Sequence, residues 1–426
     1  MSGSTPDARP MRVLFLLIWF RGPRGEPNLY GDLVEEFVRQ GHDVHVATIL
    51  EAREGRETYE DVIDGARVLH VRCGNLFGVN PITKGLTTLR LPRRFGTALS
   101  RFWGEATFDL VIYPTPPITF APVVRDLKRR QGCRSYLILR DIFPQNAKDL
   151  GMIRDPLTYR YFRRQEQRLY ELSDHIGCMS HGNIDYVRRH NAVDPAKLHV
   201  LYNWERVTAP VAPAARAEVR RRYDLEGKFV AVFGGNIGFA QGLEFLLELA
   251  ALYRDRSDIV FLIVGTGAVK DRVARLVQER RLDNVRMMDF IPRSDFQALL
   301  GASDVGLINL DRRFTIPNIP SKTLGYFAAA VPVLAAIDAS TDYGALLDEC
   351  DAGLWSVTGD LPAYRANFER LLGDAGLRRR LGANGRRAFL ERFTVSSAYD
   401  TIMDRVGHGR REEASAGVTA SQERGR

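Results

Sequence analysis

Short runs that are apolar throughout alternate along the chain with longer amphipathic stretches. The first is "VLFLLIWF" (Val13 to Phe20), followed by the helical pattern "DLVEEFVRQGH" and then by "DVHVATI" (Asp43 to Ile49). "FDLVIY", "SYLILR" and "HIGCMS" continue the series. Runs without polar alternation belong to strands covered on both faces, so the pattern predicts a parallel sheet with helices on either side. After "LHVLYNW" (Leu198 to Trp204) comes "ERVTAPVAPAARAE", rich in proline and alanine, which reads as an interdomain linker. The alternation then restarts with "FVAVFGGN", "IVFLIVGTG" (Ile259 to Gly267), "VGLINL" (Val305 to Leu310) and "PVLAAID" (Pro332 to Asp338). The expected fold class is therefore α/β, with two doubly wound, Rossmann-like domains at 11–205 and 206–394. A last helical pattern covers 395–406. Residues 1–10 and 407–426 are too polar to pack a core and are expected to be disordered.

Composition narrows this picture only slightly. A chain of 426 residues, 45% apolar and 26% charged, is that of a globular protein with room for two domains. A net charge of +8 leaves anionic substrates and anionic lipid open as partners. Nucleic acid is set aside, because basic and aromatic residues form no recognisable binding module. Cys73, Cys133, Cys178 and Cys350 lie far apart with no CxxC pair, as expected of buried, reduced thiols. "VLFLLIWF" follows a polar leader containing an acidic residue and precedes no cleavage site, so it reads as a strand rather than a signal-peptide core. With no apolar run of about 18 residues, the expectation is a cytoplasmic protein with at most peripheral membrane contact.

The candidate chemistry sits where strands end. "FGGNIGFAQG" (Phe233 to Gly242) follows one strand and opens a helix, and the amides of Gly238 to Gly242 can face an anion there. Gly234, Gly235, Gly238 and Gly242 do not form a dinucleotide fingerprint, and no GK[ST] of a phosphate-binding P-loop occurs. Asn236 and Gln241 add neutral hydrogen bonds, but the loop holds no Lys or Arg. "RRFTIPNIPSKTLGYFAAAVPVLA" (Arg312 to Ala335) offers the missing cation in Lys322, with Thr315, Asn318 and Ser321 beside it. A solvated lysine next to a prolyl turn is the plainer alternative. Gly265 in "GTG" either contacts the same ligand or simply turns the chain. Thr115 and Pro116 follow "FDLVIY", and Arg140 and Asp141 follow "SYLIL", where unpaired charges avoid the core. They form either an acceptor site or an ion pair. "TKGLTTLRLPRRFGTALSRFW" (Thr83 to Trp103) mixes Lys84, Arg90, Arg93, Arg94 and Arg101 with apolar residues, which suits either an anionic membrane interface or a helix packed on its own domain.

Taken in order, "YGDLVEEFVRQGHDVHVATI", "SDHIGCMSHGNIDYV", "LHVLYNW", "GGNIGFAQGLEFL", "IVGTG" and "IPSKTLGYFAAAVPVLA" resemble glycosyltransferase family 4, over about residues 11 to 406. The similarity is greatest to bacterial enzymes of capsule, O-antigen and other surface polysaccharides. It implies the GT-B fold: two Rossmann-like domains facing across a cleft, a nucleotide-sugar donor held mainly by the second, and a final helix (395–406) crossing back to the first. It also implies that no metal or other cofactor is needed. The chain departs from the family pattern at Asn236 and Gln241, where an arginine and a lysine are common. Pro317 and Gly325 stand where a glutamate pair is common, and Arg140 and Asp141 lie where a histidine is common.

The expectation is a retaining transfer of a sugar, from a nucleotide diphosphate sugar such as a UDP-sugar, to a glycan carried on polyprenyl diphosphate. Donor contacts fall to Gly235, Asn236, Gly238, Gln241, Gly242, Gly265, Thr315, Ser321 and Lys322. Acceptor contacts fall to Thr115, Pro116, Arg140 and Asp141, with Lys322 stabilising the departing diphosphate and Asp141 orienting the acceptor. Two other readings fit the residues: a nucleotide-sugar epimerase of the same fold, and a non-catalytic membrane-associated assembly partner.

Overall fold

The computed structural model describes residues 9–20 and 28–407, so most of the leader and the tail expected to be disordered lie outside the described residues. The chain divides into two units: the first holds residues up to Pro144, Arg154–Tyr202 and the chain from Val395 on, and the second holds Gln145–Ile153 and Asn203–Thr394. The short segment Gln145–Ile153 belongs with the second unit, although the sequence reading placed it in the first.

In the first unit the sheet is built, among the described residues, from β1 (Arg12–Leu16), β2 (Asp43–Glu51), β3 (Tyr59–Ile63), β4 (Ala66–Cys73), β5 (Leu110–Thr115), β6 (Arg134–Leu139), β7 (His175–Cys178) and β8 (Leu198–Val200). They lie in the order β3-β4-β2-β1-β5-β6-β7-β8. All neighbours are parallel except β3 with β4. That antiparallel pair turns at Asp64 and Gly65, both at positive φ, the dipeptide that two-residue hairpins favour. Val13 to Leu16 and Leu110 to Tyr113 are fully buried because helices cover both faces. Residues 395–407 are helical and complete this unit: the Tyr399 hydroxyl bonds the buried His42 ring at 2.8 Å and stacks edge-on to Phe37.

The second unit is a parallel sheet of β9 (Phe229–Gly234), β10 (Ile259–Val264), β11 (Val285–Met288), β12 (Val305–Asn309), β13 (Val333–Ile337) and β14 (Gly353–Val357), in the order β11-β10-β9-β12-β13-β14. Numbered within the unit this is 3-2-1-4-5-6, the order of a Rossmann sheet. Phe233, Leu246, Leu247, Phe261, Ile263, Leu307, Tyr364 and Phe368 form its core. The order reverses between β9 and β12 here and between β1 and β5 in the first unit. In each unit the chain leaves those strands at the carboxyl edge to form the loops that ligands meet.

Two expectations change. The stretch read as a linker, Glu205–Glu218, gives way over its last six residues to the helix Pro213–Arg222, fixed when Arg216 and Arg220 pair with Asp304. The basic segment is the helix Pro81–Trp103. Its Leu91, Phe95, Leu99 and Trp103 are buried in the first unit, so the apolar stripe serves the protein's own core. Leu86 and Leu89 stay exposed beside Lys84, Arg90, Arg93 and Arg94. The four cysteines are buried and free, as expected. Among the described residues no helix is long and apolar enough to cross a membrane.

Candidate active site

In the second unit, two loops meet at the switch between β9 and β12. The first is Gly235–Gly242, which leaves β9 and enters the helix Leu243–Ala251. Backbone contacts set its shape. Gly235 donates to the Val264 carbonyl at 2.9 Å, Ile237 to Thr266 at 2.7 Å, and Val269 to Ile237 at 3.1 Å. The chain after β10 therefore lies directly against the loop. A methyl group at Gly265 would overlap the Gly235 carbonyl oxygen, and one at Gly267 would overlap that of Ile237. With φ at +146° and +158°, neither position accepts another residue without strain. Gly265 therefore turns the chain tightly against the loop.

The expectation for the loop amides needs correction. A 3-10 turn at Phe239–Gln241 intervenes before the helix, and it uses the Gln241 N–H on the Gly238 carbonyl at 3.1 Å and the Gly242 N–H on Phe239 at 3.4 Å. Those amides are spent. The N–H groups of Gly238, Phe239 and Ala240 have no partner among the described residues, and they remain available to a ligand. Asn236 is exposed, with its amide against Gly238.

Lys322 arrives from the other loop at the first position of the helix Lys322–Ala328. Tyr326 fixes that helix. Its ring fills the space over Gly306, and its hydroxyl donates to the carbonyls of Val232 and Leu307 at 3.1 and 3.0 Å. One turn earlier on the same face, Lys322 extends over the same sheet. Its ammonium lies 4.6 Å from the centre of the Phe233 ring and donates to the Gln241 amide oxygen at 2.6 Å. Among the described residues no carboxylate pairs with it. Loss of solvation alone lowers its pKa from the ordinary 10.5 to about 8. A half-buried cation with only neutral neighbours suits an anion beside it.

The rest of the second loop holds its own shape. Thr315, expected at the donor, instead gives both its N–H and its hydroxyl to Asp149, at 2.9 and 2.7 Å. Gln145 binds the other Asp149 oxygen at 2.6 Å, so the segment Gln145–Asp149 clamps this loop. The Asn318 backbone is tied to the Thr341 hydroxyl, and the Thr341 amide is tied to Asp338. Asp338 is buried with one oxygen lacking a partner among the described residues, and burial raises its carboxyl to about 6. Ser321 is exposed just before the helix, and its side chain does not cap it.

In the first unit Thr115, Pro116, Arg140 and Asp141 come together at the carboxyl ends of β5 and β6. Thr115 is buried, and its hydroxyl accepts the Arg140 N–H at 3.2 Å, so it positions the loop. Pro116 is exposed at the turn. The Arg140 guanidinium lies 6.0 Å from the centre of the Tyr30 ring, whose hydroxyl burial makes more weakly acidic. Asp141 keeps an exposed side chain, yet lost solvation raises its carboxyl against the lowering pull of Arg140. Tyr30, Phe233, Asp149 and Asp338 were not singled out from sequence. Only Phe233 carried a signal there, as the last apolar residue before the glycines.

This is the arrangement of a GT-B glycosyltransferase: two parallel-sheet units, each with a switch in strand order. Residues 28–204 match the glycosyl transferase 4-like domain, and residues 215–388 match the glycosyl transferases group 1 model. The chain belongs to this glycosyltransferase family. The glycosyltransferase WbjE of Pseudomonas aeruginosa is 27% identical over 61% of this chain, a match that spans 65% of that relative's length, a little under two thirds. A colanic acid biosynthesis glycosyl transferase by name, WcaI of Escherichia coli K12, is 25% identical over 75% of this chain and 81% of its own. In fold the chain is similar to HepE of Anabaena in complex with UDP, at a TM-score of 0.68 and 15% identity, over 93% of this chain and 100% of that one.

Proposed function

We propose that this chain transfers a sugar, with retention of configuration, from a UDP-sugar to a glycan carried on polyprenyl diphosphate in the assembly of a surface polysaccharide such as capsule or O-antigen. One observation carries the reading: the Lys322 ammonium, placed over Phe233 with no carboxylate partner among the described residues. As the sugar leaves, the diphosphate gains charge, and a cation already in place stabilises that change without reorganising. The free amides of Gly238, Phe239 and Ala240 and the Ser321 hydroxyl take the remaining phosphate oxygens. Protein groups do this work without a metal. HepE, of the same fold, was solved with UDP, and the relative WcaI is named for a polysaccharide; both support the substrate classes assigned here.

Asp141 and Arg140 orient the acceptor, and the departing phosphate takes the proton of the acceptor hydroxyl. Lys84, Arg90, Arg93 and Arg94, with Leu86 and Leu89 exposed among them, bring the first unit to an anionic membrane, where a polyprenyl acceptor resides. A thermal-shift screen of UDP, GDP, UDP-glucose and UDP-N-acetylglucosamine tests the donor: UDP compounds should stabilise the wild type and leave Lys322→Ala unmoved. Equal shifts in both proteins would remove Lys322 from the donor site. Flotation with phosphatidylglycerol vesicles tests the membrane contact, which Arg90→Ala/Arg93→Ala/Arg94→Ala should abolish.

A further inference from the structure

Two large aromatic side chains stand half exposed at the carboxyl edge of the first unit's sheet. Trp19, beyond the end of β1, is 47% exposed, and Phe77, beyond the end of β4, is 45% exposed. Their ring centres are 5.9 Å apart, with planes tilted by 47°. Aromatic rings so exposed lose the burial that usually places them inside, and a fixed exposed pair marks a surface made for a ligand.

Polar groups behind the pair fix it. The Glu51 carboxylate, at the end of β2, accepts the N–H groups of Leu76 and Phe77 at 2.6 and 2.9 Å. Burial pushes this carboxyl up, but those amides and Arg53 outweigh it and keep it below the ordinary range. Arg53 holds Asn75 through its backbone N–H, at 3.0 Å, and the Phe77 carbonyl through its guanidinium. Asn28, which caps the helix Leu29–Arg39, donates to the Trp19 carbonyl at 3.2 Å.

We infer that Trp19 and Phe77 form a stacking platform for a pyranose ring of the acceptor glycan. The strand order β4-β2-β1-β5-β6 puts both rings in one row with Thr115, Arg140 and Asp141, beside the switch between β1 and β5. A pyranose presents a face of C–H groups that carry partial positive charge, and the negative face of an aromatic ring attracts it. The hydroxyls at the rim of the sugar then meet polar groups, here Arg53 and Asn75, which suits a sugar better than an acyl chain. β1 and β6 are two strand spacings apart, about 10 Å. The stacked ring is therefore set back from the one that receives the sugar. The inference rests on the proposal that the acceptor is a glycan.

Saturation-transfer NMR on the full chain tests it, with the methyl glycosides of glucose, galactose, mannose, fucose and N-acetylglucosamine as probes. At least one should show transfer confined to one face of its ring. Trp19→Ala and Phe77→Ala should each weaken that signal by about threefold or more, and Trp19→Phe should retain part of it. The UDP thermal shift of each variant should stay at the wild-type value, which also shows that the variants fold. A wild type that gives no face-selective signal with any probe, or a signal unchanged in Trp19→Ala, overturns the platform. So does loss of flotation on phosphatidylglycerol vesicles in Trp19→Ala with the glycoside signal intact, which would make the pair a lipid anchor. Loss of the UDP shift in the wild type would instead strike the donor proposal alone.

Discussion

The two carboxyl edges are built by opposite means. In the second unit the ligand-facing surface is mostly main chain, shaped by contacts so close that Gly265 and Gly267 admit no side chain, with the half-buried cation Lys322 beside it. In the first unit the surface is mostly side chain: Arg140, Asp141, Tyr30, Trp19 and Phe77, several of them exposed. Under the proposed function, a donor diphosphate is the same in every turnover and suits fixed amides. An acceptor glycan differs in pattern from one polysaccharide to another, and side chains can vary to match it without disturbing a backbone. The second edge should therefore be sensitive to backbone changes, and the first to side-chain changes.

The largest effect expected is that of Gly265→Ala. The added methyl meets the Gly235 carbonyl in a backbone conformation that alanine avoids, and should cost roughly 3 kcal/mol or more. In a calorimetric scan the second unit should melt about 6–12 °C lower, with UDP stabilisation lost. A folded variant that binds UDP normally would break the claim that close backbone packing makes this site.

Next comes Lys322→Ala, which should fold normally and lose about a hundred- to a thousandfold in turnover. Radiolabelled sugar transfer measures it. Asp141→Asn should cost less, about ten- to a hundredfold in kcat/KM, while leaving the UDP thermal shift at its wild-type value. A variant with weakened UDP binding would erase the division of labour between the units. The smallest effect concerns metals: if protein groups hold the diphosphate as proposed, EDTA should leave activity within about twofold. A larger loss, restored by magnesium, would move charge stabilisation from Lys322 to a cation.

The buried parallel strands were legible because their apolar runs stand out, and β1, β2, β5, β6, β7, β9, β10, β12 and β13 all match such runs. β3, β11 and β14 were not. β3 has no buried residue, and β11 and β14 have one and two, so they carry too few apolar positions to stand out. Their places are fixed by pairing with distant neighbours. In the site, Lys322 and the glycine loop were readable from charge and spacing. The use of Thr315 by Asp149 was not, because these residues lie 166 positions apart and each alone looks like a free polar group. The same holds for the Gln241 and Gly242 amides: a glycine-rich stretch announces a turn but not which N–H groups the turn consumes.

The central claim, that Lys322 is the charge the glycine loop lacks, has a signature in pH. In the empty protein its pKa is lowered to about 8, so the unfolded chain binds more protons between about 8 and the ordinary 10.5, and this group favours folding as pH rises through that window. A bound diphosphate reverses the balance by favouring the charged form. UDP binding should therefore take up a proton above pH 8 and weaken as pH rises further. Isothermal titration of UDP from pH 7 to 9.5, in wild type and Lys322→Ala, is the direct measurement. The account predicts a wild-type Kd that rises above about pH 8, and a variant Kd weaker at pH 7 by about thirtyfold or more and flat across the range. Equal Kd values and equal pH profiles in the two proteins would contradict it.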